Sequence, residues 1–205
     1  MLILIKNLFK KKDPVIAFWE WFERHEDELY IFREQDIEKL FVGLNRMIIK
    51  VNPQLVFSCT VELIDGKREF TIGGAGIEDN FPDVIRLVDA APLLDRFSIV
   101  AFNQRQEFNN GVMINGIELT RDDVFFTYYQ DKKKGDFCLT LYIKGYKADN
   151  ETYFEAVLEL LEIVIGEYML GTKITEINMR MYDKIEGFLP ISDLPNVLDD
   201  VKKVI

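Results

Sequence analysis

Apolar side chains along this chain recur at two spacings, and the switch between them predicts its elements. Asp13-Pro14 opens a first helix, with an acid at the N-cap and a proline where a missing N–H is harmless. Val15, Phe18, Trp19 and Phe22 then fall on one helical face, with Glu20, Glu23 and Arg24 mainly on the other. Ile37, Leu40, Phe41, Leu44, Ile48 and Val51 make a second stripe, predicting a helix from Glu34 to Lys50. The two helices are expected to form an antiparallel hairpin. From Pro53 the period becomes two. Leu55, Phe57, Cys59, Val61 and Leu63 alternate with Val56, Ser58, Thr60 and Glu62, the pattern of a strand with one buried face. Asp65-Gly66 suits a tight turn, and Arg68 to Ile72 returns as a second strand. Asn80-Phe81-Pro82 starts a helix with Ile85, Leu87 and Val88 toward the core. Ala90-Ala91-Pro92 ends it, and Phe97 to Phe102 is the third strand.

The second half repeats this order. Asn115-Gly116 between two short apolar runs is a hairpin signal. Val124 to Gln130 and Phe137 to Ile143 form a further hairpin across a lysine-rich turn read as solvated. Asn150 caps a long helix from Glu151 to Leu170, buried through Val157, Leu158, Leu161, Val164, Ile165 and Tyr168, with Gly171 just past its end. Ile174 to Tyr182 is a strand with Ile177, Met179 and Met181 inward, and a short helix near Asp193–Lys203 closes the chain. Strand, strand, helix, strand thus occurs from Leu55 to Phe102 and again from Val124 to Tyr182, without shared residues. The expected fold is α+β: two ββαβ units in one largely antiparallel sheet (ferredoxin-like repeats) with an N-terminal helical hairpin. Residues 1–12 form a basic N-terminal segment, and 13–205 a single domain.

Charge narrows the partners. The 205 residues carry a net charge of −10, yet the first twelve hold four lysines (Lys6, Lys10, Lys11, Lys12) and no acid. The remainder has 21 basic against 35 acidic residues, a body that repels phosphate backbones, so nucleic acid is not the expected partner. The apolar run Met1–Ile5 is too short for a secretory signal or a span, and the expected compartment is the cytoplasm. The four lysines beside Leu2, Ile3, Ile5, Leu8 and Phe9 suit either a solvated terminus or a weak membrane-surface contact.

The chemistry-bearing residues are few. One histidine and two cysteines hold neither a multi-histidine metal site nor a disulfide framework. Cys59 and Cys138 are expected at inward strand positions, as small core hydrophobes. His25 lacks a nucleophile elbow elsewhere in the chain and is read as a surface residue. Gly73-Gly74-Ala75-Gly76 follows a strand, but no Lys-Ser/Thr follows, and Glu78 and Asp79 oppose a phosphate. Asp122-Asp123, the series Glu155, Glu159 and Glu162 on one helix face, and Asp193, Asp199 and Asp200 are read as surface or caps. No catalytic residue, cofactor or metal is assigned. Phe18-Trp19-Glu20-Trp21-Phe22 is the densest aromatic patch, and one helix face cannot hide all of it. Trp19 and Trp21, with Glu155 and Glu159, are the candidate partner-binding residues.

The segments LFKKKD, FWEWFERHEDEL and DAAPLLDRFSIVAFNQR, and more weakly GEYMLGTKI, resemble a group of uncharacterised bacterial proteins. These share a lysine-rich start, a Phe-Trp-x-Trp-Phe helix and an Ala-Ala-Pro segment before a strand. The likeness spans about Leu8 to Arg105, and it implies fold and bacterial origin but no activity. More weakly, an acidic ferredoxin-like chain looks like inhibitors of bacterial ribonucleases, a fold-level analogy. The expectation is a non-catalytic interaction or regulatory protein, immunity- or inhibitor-like, binding a protein partner through an acidic or aromatic surface. The alternatives are a small enzyme with carboxylate or cysteine chemistry, and a peripheral membrane protein acting through residues 1–12. A homodimer through an uncovered sheet face stays open.

Overall fold

A computed structural model describes residues 12–107, 111–131, 133, 135–148, 150–183 and 187–202. The chain is a mixed α+β protein with helices and several multi-stranded, partly antiparallel sheets. Within the single domain expected over 13–205 it divides into two compact units, one ending at Phe102 and one starting at Asn103. Each has its own hydrophobic core.

The first unit begins with α1 (Pro14–Arg24), whose cap forms as the sequence predicts: Asp13 Oδ1 accepts from Val15 N at 2.9 Å. Val15, Phe18, Trp19 and Phe22 are all buried. Where two helices are expected there are three, because α2 (Glu26–Ile31) stands between α1 and α3 (Glu34–Ile48). His25 separates the first pair, and Phe32, at φ 54°, turns the chain between the second. The sheet has the order β1 (Val56–Cys59), β2 (Arg68–Gly73), β3 (Phe97–Ala101), with β1–β2 antiparallel and β2–β3 parallel. Helix α4 (Phe81–Asp89), entered through a short 3₁₀ turn, is the crossover that parallel pairing requires. Two expectations fail here. The strand stops at Cys59 and leaves Val61 and Leu63 exposed, because the Thr60 and Val61 carbonyls turn to the Arg68 guanidinium. On α4 the buried stripe is Phe81, Val84 and Leu87, while Ile85 is exposed.

In the second unit, β4 (Val112–Ile114) and β5 (Ile117–Leu119) form a hairpin on Asn115-Gly116, both at positive φ. β6 (Val124–Asp131) pairs antiparallel with β7 (Asp136–Ile143). After α5 (Thr152–Ile165) and α6 (Glu167–Lys173), β8 (Ile174–Met181) returns parallel to β7. A two-residue β9 (Leu189–Pro190) completes the order β8-β7-β6-β9, and α7 (Leu194–Lys202) follows. Val124, Phe126, Phe137, Leu139, Leu141 and Ile143 share the core with the buried face of α5. Among the described residues the strands lie in three sheets, not one: each crossover returns its strand beside the hairpin it left, and β4–β5 pair only with each other. Cys138 is not inward, because the alternation of β7 buries Phe137 and Leu139 on either side of it. The helix expected from Glu151 to Leu170 breaks at Gly166, Gly171 lies inside α6, and Tyr168 and Met181 are exposed.

Candidate functional site

Helix α5 starts where Asn150 Oδ1 accepts from Thr152 N at 3.0 Å, giving a first-turn amide its partner. Tyr153, Ala156, Val157, Leu160, Leu161, Val164 and Ile165 go into the core, and the Tyr153 hydroxyl donates to Gly145 O. The face left over carries Phe154, Glu155 and Glu159, all exposed, with Leu158 and Glu162 half-buried. Between Lys147 and Lys173 the sequence holds six acids and no base, so the helix has no neutralising cation in its own segment. The β4–β5 hairpin packs against α5, and Asn115 Nδ2 donates to Glu155 at 3.3 Å. Met113 of that hairpin is 62% exposed and Phe154 44%. Glu155 and Glu159, one turn apart, are thus presented to solvent with exposed apolar side chains on the same helix and its hairpin.

The third acid of the series, Glu162, has a different fate. Gly166 ends α5 at φ 81°, ψ 153°, and the chain from Asn103 runs against this break. Glu167 N donates to Asn103 O at 2.9 Å and Gln106 N to Ile163 O at 2.8 Å. Asn103 Nδ2 donates to Glu162 Oε1 at 2.6 Å, and Asn103 N to Glu167 Oε2 at 3.2 Å. Burial pushes the Glu162 carboxyl above its ordinary range; the Asn103 hydrogen bond opposes this, and the negative charges of Glu167 and Glu159 add to it. The two carboxylates and Asn103 act chemically as a clip between a loop and two helices. Sequence spacing pointed to Glu162 alone. Asn103 and Glu167 were missed, because only the break at Gly166 brings them together.

A raised folded-state pKa means that Glu162 contributes stability fully below the ordinary carboxylate pKa of about 4.3 and loses it as pH rises through the folded value. Glu162→Gln keeps the acceptor for Asn103 and removes the charge. Relative to the native chain it gains stability at pH 7, by less than about 1 kcal/mol for a half-exposed group, and nothing near pH 4. Denaturation midpoints at the two pH values check this; a gain that is the same at both contradicts the assignment.

The other candidate residues that the structure describes make the following contacts. Trp19 is 4% exposed, and its indole donates to Leu87 O at 2.8 Å, so it belongs to the core. Trp21 is half-buried, with its ring against Gly43 of α3 and stacked on His25 at 4.0 Å between centroids. His25 Nδ1 donates to Trp21 O at 2.8 Å, a hydrogen bond within the helix turn. Lys12 pairs with Glu20; Lys6, Lys10 and Lys11 lie outside the described residues. Burial pushes the Cys59 thiol up to about 11 against the opposing charge of Arg68, which keeps it protonated and poorly nucleophilic at neutral pH. Cys138 Sγ lies 3.6 Å from Thr175 Oγ1. The glycine-rich loop is a turn into α4, held by Asn80 Nδ2 donating to Gly74 O. Asp123 accepts from the amide and hydroxyl of Thr120, and Asp199 pairs with Arg105. A cleft of about 200 Å³ beside α2 and α3 is lined by Asp27, Glu28, Arg33, Asp36 and Lys39 among others. It is smaller than the roughly 300–1,000 Å³ of a small-molecule site.

Among the described residues, no group of three or more His, Cys, Asp or Glu is placed to hold a metal ion. No helix among them is long and apolar enough to cross a membrane. Comparison with family models, with curated proteins and with solved structures finds no match for this chain.

Proposed function

We propose that the protein is a non-catalytic interaction protein, a cytoplasmic regulator or immunity-type inhibitor, that binds a basic protein partner through the outer face of α5. The observation that carries this reading is the pair Glu155 and Glu159, exposed one turn apart on a helix without a basic residue, with Phe154, the residue before Glu155, exposed as well. Charge of one sign raises the rate of encounter and excludes wrong partners, while an aromatic supplies area to bury. A net charge of −10 favours a cationic protein over a polyanion. The same reading takes the two β-β-α-β segments as ferredoxin-like repeats; in each, a hairpin is followed by a helix and a strand parallel to the hairpin's second.

The test is affinity capture of a stoichiometric partner at low and moderate salt, followed by kinetics with the purified pair. Glu155→Lys with Glu159→Lys weakens binding about tenfold or more, mainly through a slower on-rate that converges with the native rate at high salt. Phe154→Ala acts on the off-rate. A partner that binds the charge-reversed protein as well as the native one removes α5 from the interface. Recovery of no partner at either salt overturns the reading.

A further inference from the structure

The longest unpaired sheet edge among the described residues is β8, eight residues bonded to β7 on one side only. Long edges are templates for another strand, and chains commonly blunt them with charge. The ladder slips by one residue at Thr175, so regular alternation runs from Glu176 to Met181. Tyr182 N donates to Ile143 O, which fixes the even-numbered residues as those whose backbone faces β7. The amides and carbonyls of Ile177, Met179 and Met181 therefore face outward. Their side chains lie on the core side of the sheet, with Ile177 and Met179 packed against the core, while Glu176, Asn178 and Arg180 project from the opposite face and are exposed. Asn178 Nδ2 donates to Glu176, and Arg180 has no ion-pair partner among the described residues.

From this edge we infer that β8 pairs antiparallel with β8 of a second copy, about a two-fold axis through Asn178. That register sets Glu176 opposite Arg180 of the other copy, twice by symmetry. It also sets Ile177 opposite Met179, so that the outward backbone groups bond to each other and the apolar side extends across the junction. Neighbouring symmetric registers lack this match. Centring on Glu176 or on Arg180 opposes like charges, centring on Ile177 sets Glu176 against Asn178, and centring on Met179 sets Arg180 against Asn178, so neither of the last two pairs the opposite charges. The surface is distinct from the outer face of α5 and does not depend on the reading given to it.

The experiment is sedimentation velocity of the full chain over a range of concentrations, with Glu176→Arg, Arg180→Glu, their equimolar mixture, and both changes in one chain. The native chain dimerises with concentration. Each single variant opposes like charges at both positions and associates about tenfold more weakly or less. The mixture and the double variant oppose each introduced charge to its complement and restore association. Both positions are exposed, so circular dichroism confirms that the variants fold; if a single variant does not fold, the double variant still decides. A native chain that stays monomeric throughout overturns the inference. So does a dimer indifferent to these charges, or a mixture and double variant that fail to recover.

Discussion

Arg68→Met destabilises the N-terminal unit by about 3–5 kcal/mol, more than any other single change proposed here. Arg68 is 5% exposed at the start of β2, and its charge pairs with no carboxylate among the described residues. Nε and Nη2 both donate to Tyr30 O, at 3.2 and 2.6 Å, while Nη1 donates to Val61 O at 2.8 Å and to Thr60 O. The guanidinium also stands over the Phe32 ring at 4.8 Å. It therefore ties the C-terminal end of α2, where carbonyls carry partial negative charge, to the segment leaving β1. Methionine retains much of the apolar stem but leaves three carbonyls without their donor. Lysine is no substitute, since one ammonium cannot reproduce a planar fork that reaches both sides. Trp19 and Trp21, the only tryptophans, both lie in this unit, so tryptophan fluorescence during denaturation follows it specifically. A loss below about 1 kcal/mol, the scale of an ordinary surface contact, contradicts the clamp.

Gly166→Ala costs about 2–4 kcal/mol in the second unit. At φ 81° and ψ 153° the residue occupies a region that is essentially glycine-only. A Cβ there sits 3.1 Å from Arg105 N and 3.2 Å from Asn103 O, and backbone atoms yield less than a side-chain tip. A continuous helix from Glu151 to Leu170 implies the opposite sign, because glycine to alanine inside a helix stabilises by up to about 1 kcal/mol. One denaturation curve, followed by the tyrosine near-ultraviolet signal that dominates this unit, separates the two. A gain in stability restores the unbroken helix.

That contrast marks where reading the sequence stops. The series Glu155, Glu159, Glu162 was visible as an acidic helix face, and two of its members are exposed. Nothing in their spacing distinguishes the third, which differs only because a segment some sixty residues earlier in the chain, Asn103, reaches it. The aromatic stretch was equally legible as a patch. Which tryptophan it would bury depended on α4 offering the Leu87 carbonyl to Trp19 and on Gly43 leaving room for Trp21. Cys138 looked inward because apolar neighbours surround it, yet in a strand the face of every residue follows from the register.

The sequence by itself determined the elements and much of their order. The Asp13 cap, the Asp65-Gly66 and Asn115-Gly116 turns, the core stripe of α1 and the Val157, Leu161, Val164 and Ile165 part of the stripe of α5 stand where local chemistry puts them, because each depends on residues a few positions apart. Tertiary structure decided that the strands form separate sheets, that Gly166 breaks a helix, that Arg68 is buried on backbone carbonyls, and that β8 is left as an edge. These outcomes rest on contacts between residues far apart in the chain, where many pairings satisfy the same local pattern. Only the packing that leaves the fewest polar groups unmet and the least apolar surface in water chooses among them.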